Sequence, residues 1–282
     1  MKLLKPTAEF FIPDQKPVDE AIKRTTHMSI AAHQDDIEIM AYDGIIKCFN
    51  NLNNFFFGVV VTNGSGSARD GEYAKYTDEE MIQVRKLEQK KAAYLGEFGA
   101  LALLDHPSKE VKDPKNTAIE VEMRKLIEAA KPEVLYTHNL ADKHDTHIGV
   151  TTKVIRALRS MKKEDRPKKV YGCEVWRDLD WMIDSEKVRF NVSAHPNLAA
   201  GLVEVFDSQI AGGKRYDLAT MGRRLANATY SESHSIDKAN YVSFAMDLTP
   251  LIEDDNLDII SYVTSYIERF NKDVKDRIGK ML

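Results

Sequence analysis

The apolar positions of the chain change period repeatedly, short unbroken runs alternating with stretches where apolar residues recur every three or four positions. His27 to Ala32 reads as a short buried strand, and Tyr42 to Asn50 as a helix that comes after an H-Q-D-D turn. The run FFFGVVV at 55 to 61 is a second strand, rich in aromatic and β-branched residues and closed by the turn residues T-N-G-S-G-S. From Thr77 the period becomes helical: Thr77 and Glu80 form a capping box, and Met81, Val84, Leu87, Ala92 and Leu95 recur near helical spacing until Gly96 or Gly99. Leu101 to Leu104 predicts a third strand, Ile119 to Ala130 a helix, Glu133 to Thr137 a fourth strand, and Ile148 to Met161 a further helix with Val154, Ile155 and Leu158 toward the core.

Strand and helix in strict alternation favour a mostly parallel, Rossmann-like α/β sheet with helices on both faces. Beyond residue 165 the pattern is less regular. Lys169 to Trp176 and Leu202 to Phe206 read as strands or buried segments, and Tyr241 to Leu248 as another strand. The stretch from Leu257 sets Ile260, Val263, Ile267, Phe270, Val274 and Ile278 on one stripe of a long C-terminal amphipathic helix, suited to packing on its own chain or to a dimer contact. Residues 1 to 26, with Pro6, Pro13 and Pro17, read as an arm laid over the body. The expected organisation is thus an arm (1–26), one α/β domain (27–250) and a helical extension packed on it (251–282).

Composition narrows the function classes. At 43% hydrophobic, 30% charged and a formal charge of −4, the chain is globular and has no electrostatic footprint for nucleic acid. Pro6 and Glu9 interrupt any signal-peptide core in MKLLKPTAEF, and no apolar run reaches the roughly 18 to 20 residues that span a bilayer. A cytoplasmic protein without a membrane partner is expected. Cys48 and Cys173 lack both C-x-x-C spacing and scaffold density, and read as small buried hydrophobes in a reducing compartment.

In a parallel sheet the loops after the strands' carboxyl ends converge on one crevice, and three polar clusters stand at such positions. They are His33, Gln34, Asp35 and Asp36 after the first strand, Thr62, Asn63 and Gly64 after the second, and His138, Asp142, His144 and His147 after the fourth. Imidazole and carboxylate from the first cluster, with imidazole from the third, would give zinc three protein ligands and leave a position for water. Taken singly, each cluster also reads as turn and capping residues.

The segment A-A-H-Q-D-D-I-E-I-M-A-Y-D-G at 31 to 44 resembles the A-H-P-D-D-x-E motif of the LmbE-like, or PIG-L, family of zinc deacetylases. V-T-N-G at 61 to 64, R-x-x-E at 85 to 88 and T-H-N-x-x-D-x-H-x-x-H at 137 to 147 continue the resemblance, with weaker echoes in F-D-S-Q at 206 to 209 and Y-S-E at 230 to 232. The resemblance implies His33, Asp36 and His147 as ligands of Zn2+ or another divalent ion, Asp35 as general base and acid, and a protonated His144 beside the substrate carbonyl. It implies deacetylation of an N-acetylglucosamine-type amino sugar or its conjugate. Asn63, Arg69 and Asp142 are expected substrate contacts, and Arg85 with Glu88 a structural ion pair. Gln34 replaces the family's Pro, which loosens the turn, and Thr146 replaces an Asp that would polarise the neighbouring imidazole. Those departures keep open a non-catalytic metal- or sugar-binding module and an amidohydrolase of a non-sugar amide. A homo-oligomer is also left open.

Overall fold

The computed structural model describes residues 1–232 and 234–282. Its strands are β1 (Glu9–Phe11), β2 (His27–Ala31), β3 (Phe56–Thr62), β4 (Ala100–His106), β5 (Val134–His138), β6 (Lys169–Cys173), β7 (Val188–Asn191) and β8 (Val242–Asp247). They form one sheet in the order β1-β4-β3-β2-β5-β6-β8-β7. The central run from β4 to β6 is parallel, and β1, β7 and β8 add antiparallel margins.

Both faces of the sheet are covered, which is why the central strands read as unbroken apolar runs. Phe57, Val59 and Val61 of β3 point to one core with the helices Ala118–Ala130 and Asp145–Arg159, while Phe56 and Val60 point to the other with Tyr42–Cys48 and Asp78–Leu95. The capping box holds in both halves, Thr77 accepting from the Glu80 N–H and Glu80 from that of Thr77.

Four local expectations are revised. The H-Q-D-D turn leads into an additional short helix, Asp36–Met40, before Tyr42–Cys48. The helix expected from Ile148 begins at Asp145, so His147 falls in its first turn. Leu202 to Phe206 lies in and just after a helix, Pro196–Glu204, started by Pro196 at its first position; tertiary packing overrides the β-branched composition. The C-terminal helix, Ile259–Gly279, buries Val263 and half-buries Phe270, but Ile260, Ile267, Val274 and Ile278 of the expected stripe are exposed.

The first 26 residues supply β1, paired with β4, and the short helix Val18–Lys23. Lys86 Nζ donates to Thr7 O at 2.8 Å and Lys90 pairs with Glu9 at 2.6 Å, which ties this segment to the body.

Along the chain the sheet grows from β2 through β3 to β4, then restarts with β5 on the other side of β2. The loops after β2 and β5 therefore leave in opposite directions, opening a crevice at their carboxyl ends.

Candidate active site

That crevice receives His33 to Asp36 from the end of β2 and His138 to His147 from the end of β5. His33 Nδ1 lies 3.1 Å from Asp36 Oδ2 and 3.2 Å from His147 Nε2, and His147 Nε2 lies 3.3 Å from Asp36 Oδ2. A tetrahedral ion with bonds of about 2.0–2.1 Å separates its ligand atoms by about 3.3 Å. The three donor atoms thus stand at the spacing of one face of such a tetrahedron, and the residues fit a divalent cation.

Charge at the site points the same way. Burial raises the Asp36 carboxyl, but the charges of His147 and His138 and hydrogen bonds from His147 and His33 outweigh it and hold the group well below its ordinary range. Burial lowers His147, yet Asp36 and the hydrogen bond to Asp142 carry it up to about 9. A buried anion that draws a proton onto the facing imidazole is an environment that also favours a metal cation there.

Asp142 stands behind His147, its Oδ2 3.3 Å from His147 Nδ1, and also accepts the backbone N–H groups of Lys143, His144 and Trp176. It orients the imidazole from the far side, as carboxylates commonly do for metal-binding histidines. Thr146 is buried, and the carboxylate of Asp142 pairs with His147, while His144 Nδ1 is buried without a partner among the described residues. His138 Nε2 stands 3.6 Å from Asp36 Oδ2 but is already engaged, accepting the Ala32 N–H at 2.9 Å; burial first, then the charge on His147, keeps the ring neutral.

Asp35 lies beside the donor triangle. It has φ +91°, a conformation that costs a non-glycine residue about 1–3 kcal/mol and is held by its surroundings. Gln89 Oε1 accepts the Asp35 N–H at 3.2 Å and Gln89 Nε2 donates to Glu38 at 2.7 Å. Arg85 donates to Asp35 Oδ2 at 3.1 Å and to the Gln34 carbonyl. Arg85 is anchored by Glu88 at 3.3 Å, and Glu88 accepts the N–H and hydroxyl of Ser208 at 2.7 Å each. Burial raises the Asp35 carboxyl to about 7, opposed by Arg85 and assisted by Asp36.

Gln34 does not loosen the turn. Its side chain is fully buried, and Nε2 donates to Thr62 O at 3.1 Å, cross-linking the ends of β2 and β3. Gly64 makes room for it: φ is +77°, and a Cβ there would stand 2.6 Å from Gln34 Oε1.

The cavity over these groups measures about 380 Å³ and is lined by His33, Asp35, Asp36, His144, Trp176 and Tyr216, among others. That volume suits a small molecule. Burial first, then the charges of His33 and His147, push His144 down to about 4, so it faces the cavity as a neutral imidazole, not as the expected cation. Trp176 stands 6.4 Å from His144 with rings 26° apart, and Tyr216 meets Trp176 edge-on at 6.1 Å. Asn63 and Arg69 do not line the cavity. The Asn63 side chain caps the Ser65 N–H, and the Arg69 guanidinium is taken up by Asp78 and the carbonyls of Ser65 and Tyr76. The contacts of Arg85 and Gln89 with the H-Q-D-D turn, that of Gln34 with the end of β3, and the placement of Trp176 and Tyr216 had no signal in the sequence beyond the R-x-x-E spacing.

Glu174 is buried and hydrogen-bonded by Asn227 Nδ2 at 2.9 Å. Burial raises its carboxyl from 4.5 to about 7 against that bond and the charge of Arg223. A folded-state value above the unfolded one means that stability present at acid pH is lost as pH rises through about 7. Glu174→Gln should therefore match the parent in thermal unfolding at pH 5 and exceed it at pH 8 by roughly 1–3 kcal/mol. Equal differences at both pH values would refute this.

Fold and site together define a class: a doubly wound α/β domain with a His, His, Asp donor set at its topological switch point and an uncoordinated carboxylate beside it. Residues 28–158 match the family PIG-L, GlcNAc-PI de-N-acetylase, and the chain carries a domain of that LmbE-like family. Among solved structures, N,N'-diacetylchitobiose deacetylase from Pyrococcus horikoshii superimposes with a TM-score of 0.64 at 12% identity, over 83% of this chain and 88% of its own. GalB, the 4-carboxy-2-hydroxymuconate hydratase from Pseudomonas putida KT2440, gives 0.61 at 14% identity, over 79% of this chain and 96% of its own. The A40926 pseudoaglycone deacetylase Dbv21 gives 0.58 at 13% identity, over 79% and 97%. At these identities the likeness is one of fold. No curated protein matches the sequence.

Proposed function

We propose that the protein is a zinc-dependent deacetylase that hydrolyses the acetamide of an N-acetylated amino sugar or its conjugate. The observation that carries this reading is the triangle of His33, Asp36 and His147 donor atoms with the Arg85-paired Asp35 carboxylate next to it in a cavity of small-molecule size. His33, Asp36 and His147 would hold the ion, which when bound would lower the pKa of a water and polarise the amide carbonyl. Asp35, with Arg85 aiming its carboxylate, takes a proton from the attacking water. The water oxygen bonds to the acetyl carbon, the C–N bond breaks, and Asp35 returns the proton to the departing amine. His144, as a neutral imidazole, offers an N–H to the carbonyl oxygen as charge develops there. The Trp176 ring, with Tyr216 set edge-on against it, suits the apolar face of a sugar ring.

The binding-module reading loses its main motive, since Gln34 braces the turn that carries the base. Amides other than those of sugars stay within reach of the same apparatus and are separated by substrate. The test is acetate release from N-acetylglucosamine and its glycosides, with and without a chelator. Release is expected to stop on chelation and return with added zinc, and Trp176→Ala should raise KM about tenfold with kcat within a few-fold. A protein that retains the ion yet releases no acetate from any N-acetylated sugar overturns the proposal.

A further inference from the structure

The helix Ile259–Gly279 is attached to the body through one side. Tyr262 donates its hydroxyl to Asp247 O at 2.6 Å, Val263 is buried, and Arg269 pairs with Glu186 at 2.6 Å. Roughly a third of a turn away, at about 100° per residue, runs a second line of apolar residues. Ile260, Ile267, Val274 and Ile278 are exposed there by 73%, 43%, 38% and 55%. Ile260, Ile267 and Val274 recur at heptad spacing, and so do Thr264, Asn271 and Ile278, offset by four positions. Two such interleaved rows are the seam of a two-helix coiled coil, with Asn271 as its central polar position.

Charge indicates what covers the seam. On the rim, Lys272 pairs with Asp276 and Arg277 with Asp273 along the same helix. Glu268 and Lys275 beside the seam enter no ion pair among the described residues. In a parallel pair Glu268 would face the partner's Val263 and Lys275 the partner's Phe270, neither of which carries a charge. In an antiparallel pair crossing at Asn271, Glu268 stands by the partner's Lys275 and Lys275 by the partner's Glu268. The same register sets Ile267 against the partner's Val274, and Ile278 against the partner's Thr264.

We propose that this face joins two copies of the chain through an antiparallel helix pair whose two-fold axis passes at Asn271. The surface is self-complementary in both its apolar and its charged positions, as an isologous contact requires.

Sedimentation velocity of the full chain over a range of concentrations tests it. The parent should sediment with twice the mass of one chain, and Ile267→Glu as a single chain with an unchanged circular dichroism spectrum. Glu268→Lys and Lys275→Glu should each weaken association at least tenfold, and the two combined should restore it, because the reversed charges again face their opposites. Asn271→Cys should form an intersubunit disulfide on oxidation, Cys48 and Cys173 being buried. A parent that remains single at all concentrations, a dimer that survives Ile267→Glu, or a double reversal no tighter than its singles would each overturn the proposal.

Discussion

Asp35→Asn is expected to lower kcat for acetamide hydrolysis by about 10²–10⁴-fold, the usual contribution of a positioned general base, while KM changes little and the bound ion is kept. Asparagine preserves the shape of the side chain and an oxygen for Arg85, which now donates to Asp35 Oδ2 at 3.1 Å, so the local packing has no reason to collapse. The loss is confined to the capacity to accept a proton. The backbone at φ +91° is pinned independently through Gln89, so the substituted side chain should occupy the same place. Asp35 contributes none of the three atoms of the donor triangle, and metal content measured by mass spectrometry should equal that of the parent. A loss of the ion together with activity would move Asp35 into the ligand set, and turnover within tenfold of the parent would remove it from the chemistry.

The residues that the sequence makes legible are those whose pattern is local. Burial on both faces leaves FFFGVVV unbroken, and a parallel sheet brings the loop after each strand to one edge, so the clusters at 33 to 36 and 138 to 147 can be gathered from the order of elements, while the choice of His33, Asp35, Asp36 and His147 within them comes from the family resemblance. The less legible contacts depend on partners distant in the chain. Gln34 meets the Thr62 carbonyl, Arg85 meets Asp35, and Glu88 meets Ser208, all between elements whose approach no periodicity encodes. Arg69 illustrates the converse. Its loop comes after a strand, but the guanidinium is consumed by Asp78 and two carbonyls of its own neighbourhood. The neutral state of His144 is hidden from the sequence for a related reason, since its fall to about 4 comes from burial and from imidazoles brought up by the fold. In the C-terminal helix the single stripe read from periodicity divides into two faces, because heptad and 3.6-residue repeats coincide over so short a length.

The second large effect concerns the ion itself. Asp36→Asn should reduce divalent-metal affinity by two or more orders of magnitude, a decrease that titration with zinc under buffered free-ion conditions can measure without any substrate. The argument rests on charge as much as geometry. Asp36 Oδ2 faces His33 Nδ1 at 3.1 Å, His147 Nε2 at 3.3 Å and His138 Nε2 at 3.6 Å, and it is the single anion of the donor triangle. An amide in its place keeps the size but leaves two imidazoles to hold a doubly charged ion in a buried site, where an unpaired charge is strongly disfavoured. The folded state should register the difference as well. At free ion a hundredfold above the dissociation constant, binding adds about 2.7 kcal/mol to stability, and chelation should lower the melting temperature of the parent by several degrees. Asp36→Asn should melt at the same temperature with and without chelator, since it has little bound ion to lose. If the variant instead binds zinc as tightly as the parent, the ligands would have to be His33, His144 and His147, whose ring nitrogens lie within 4.8 Å of one another, and Asp36 would serve only to neutralise the site.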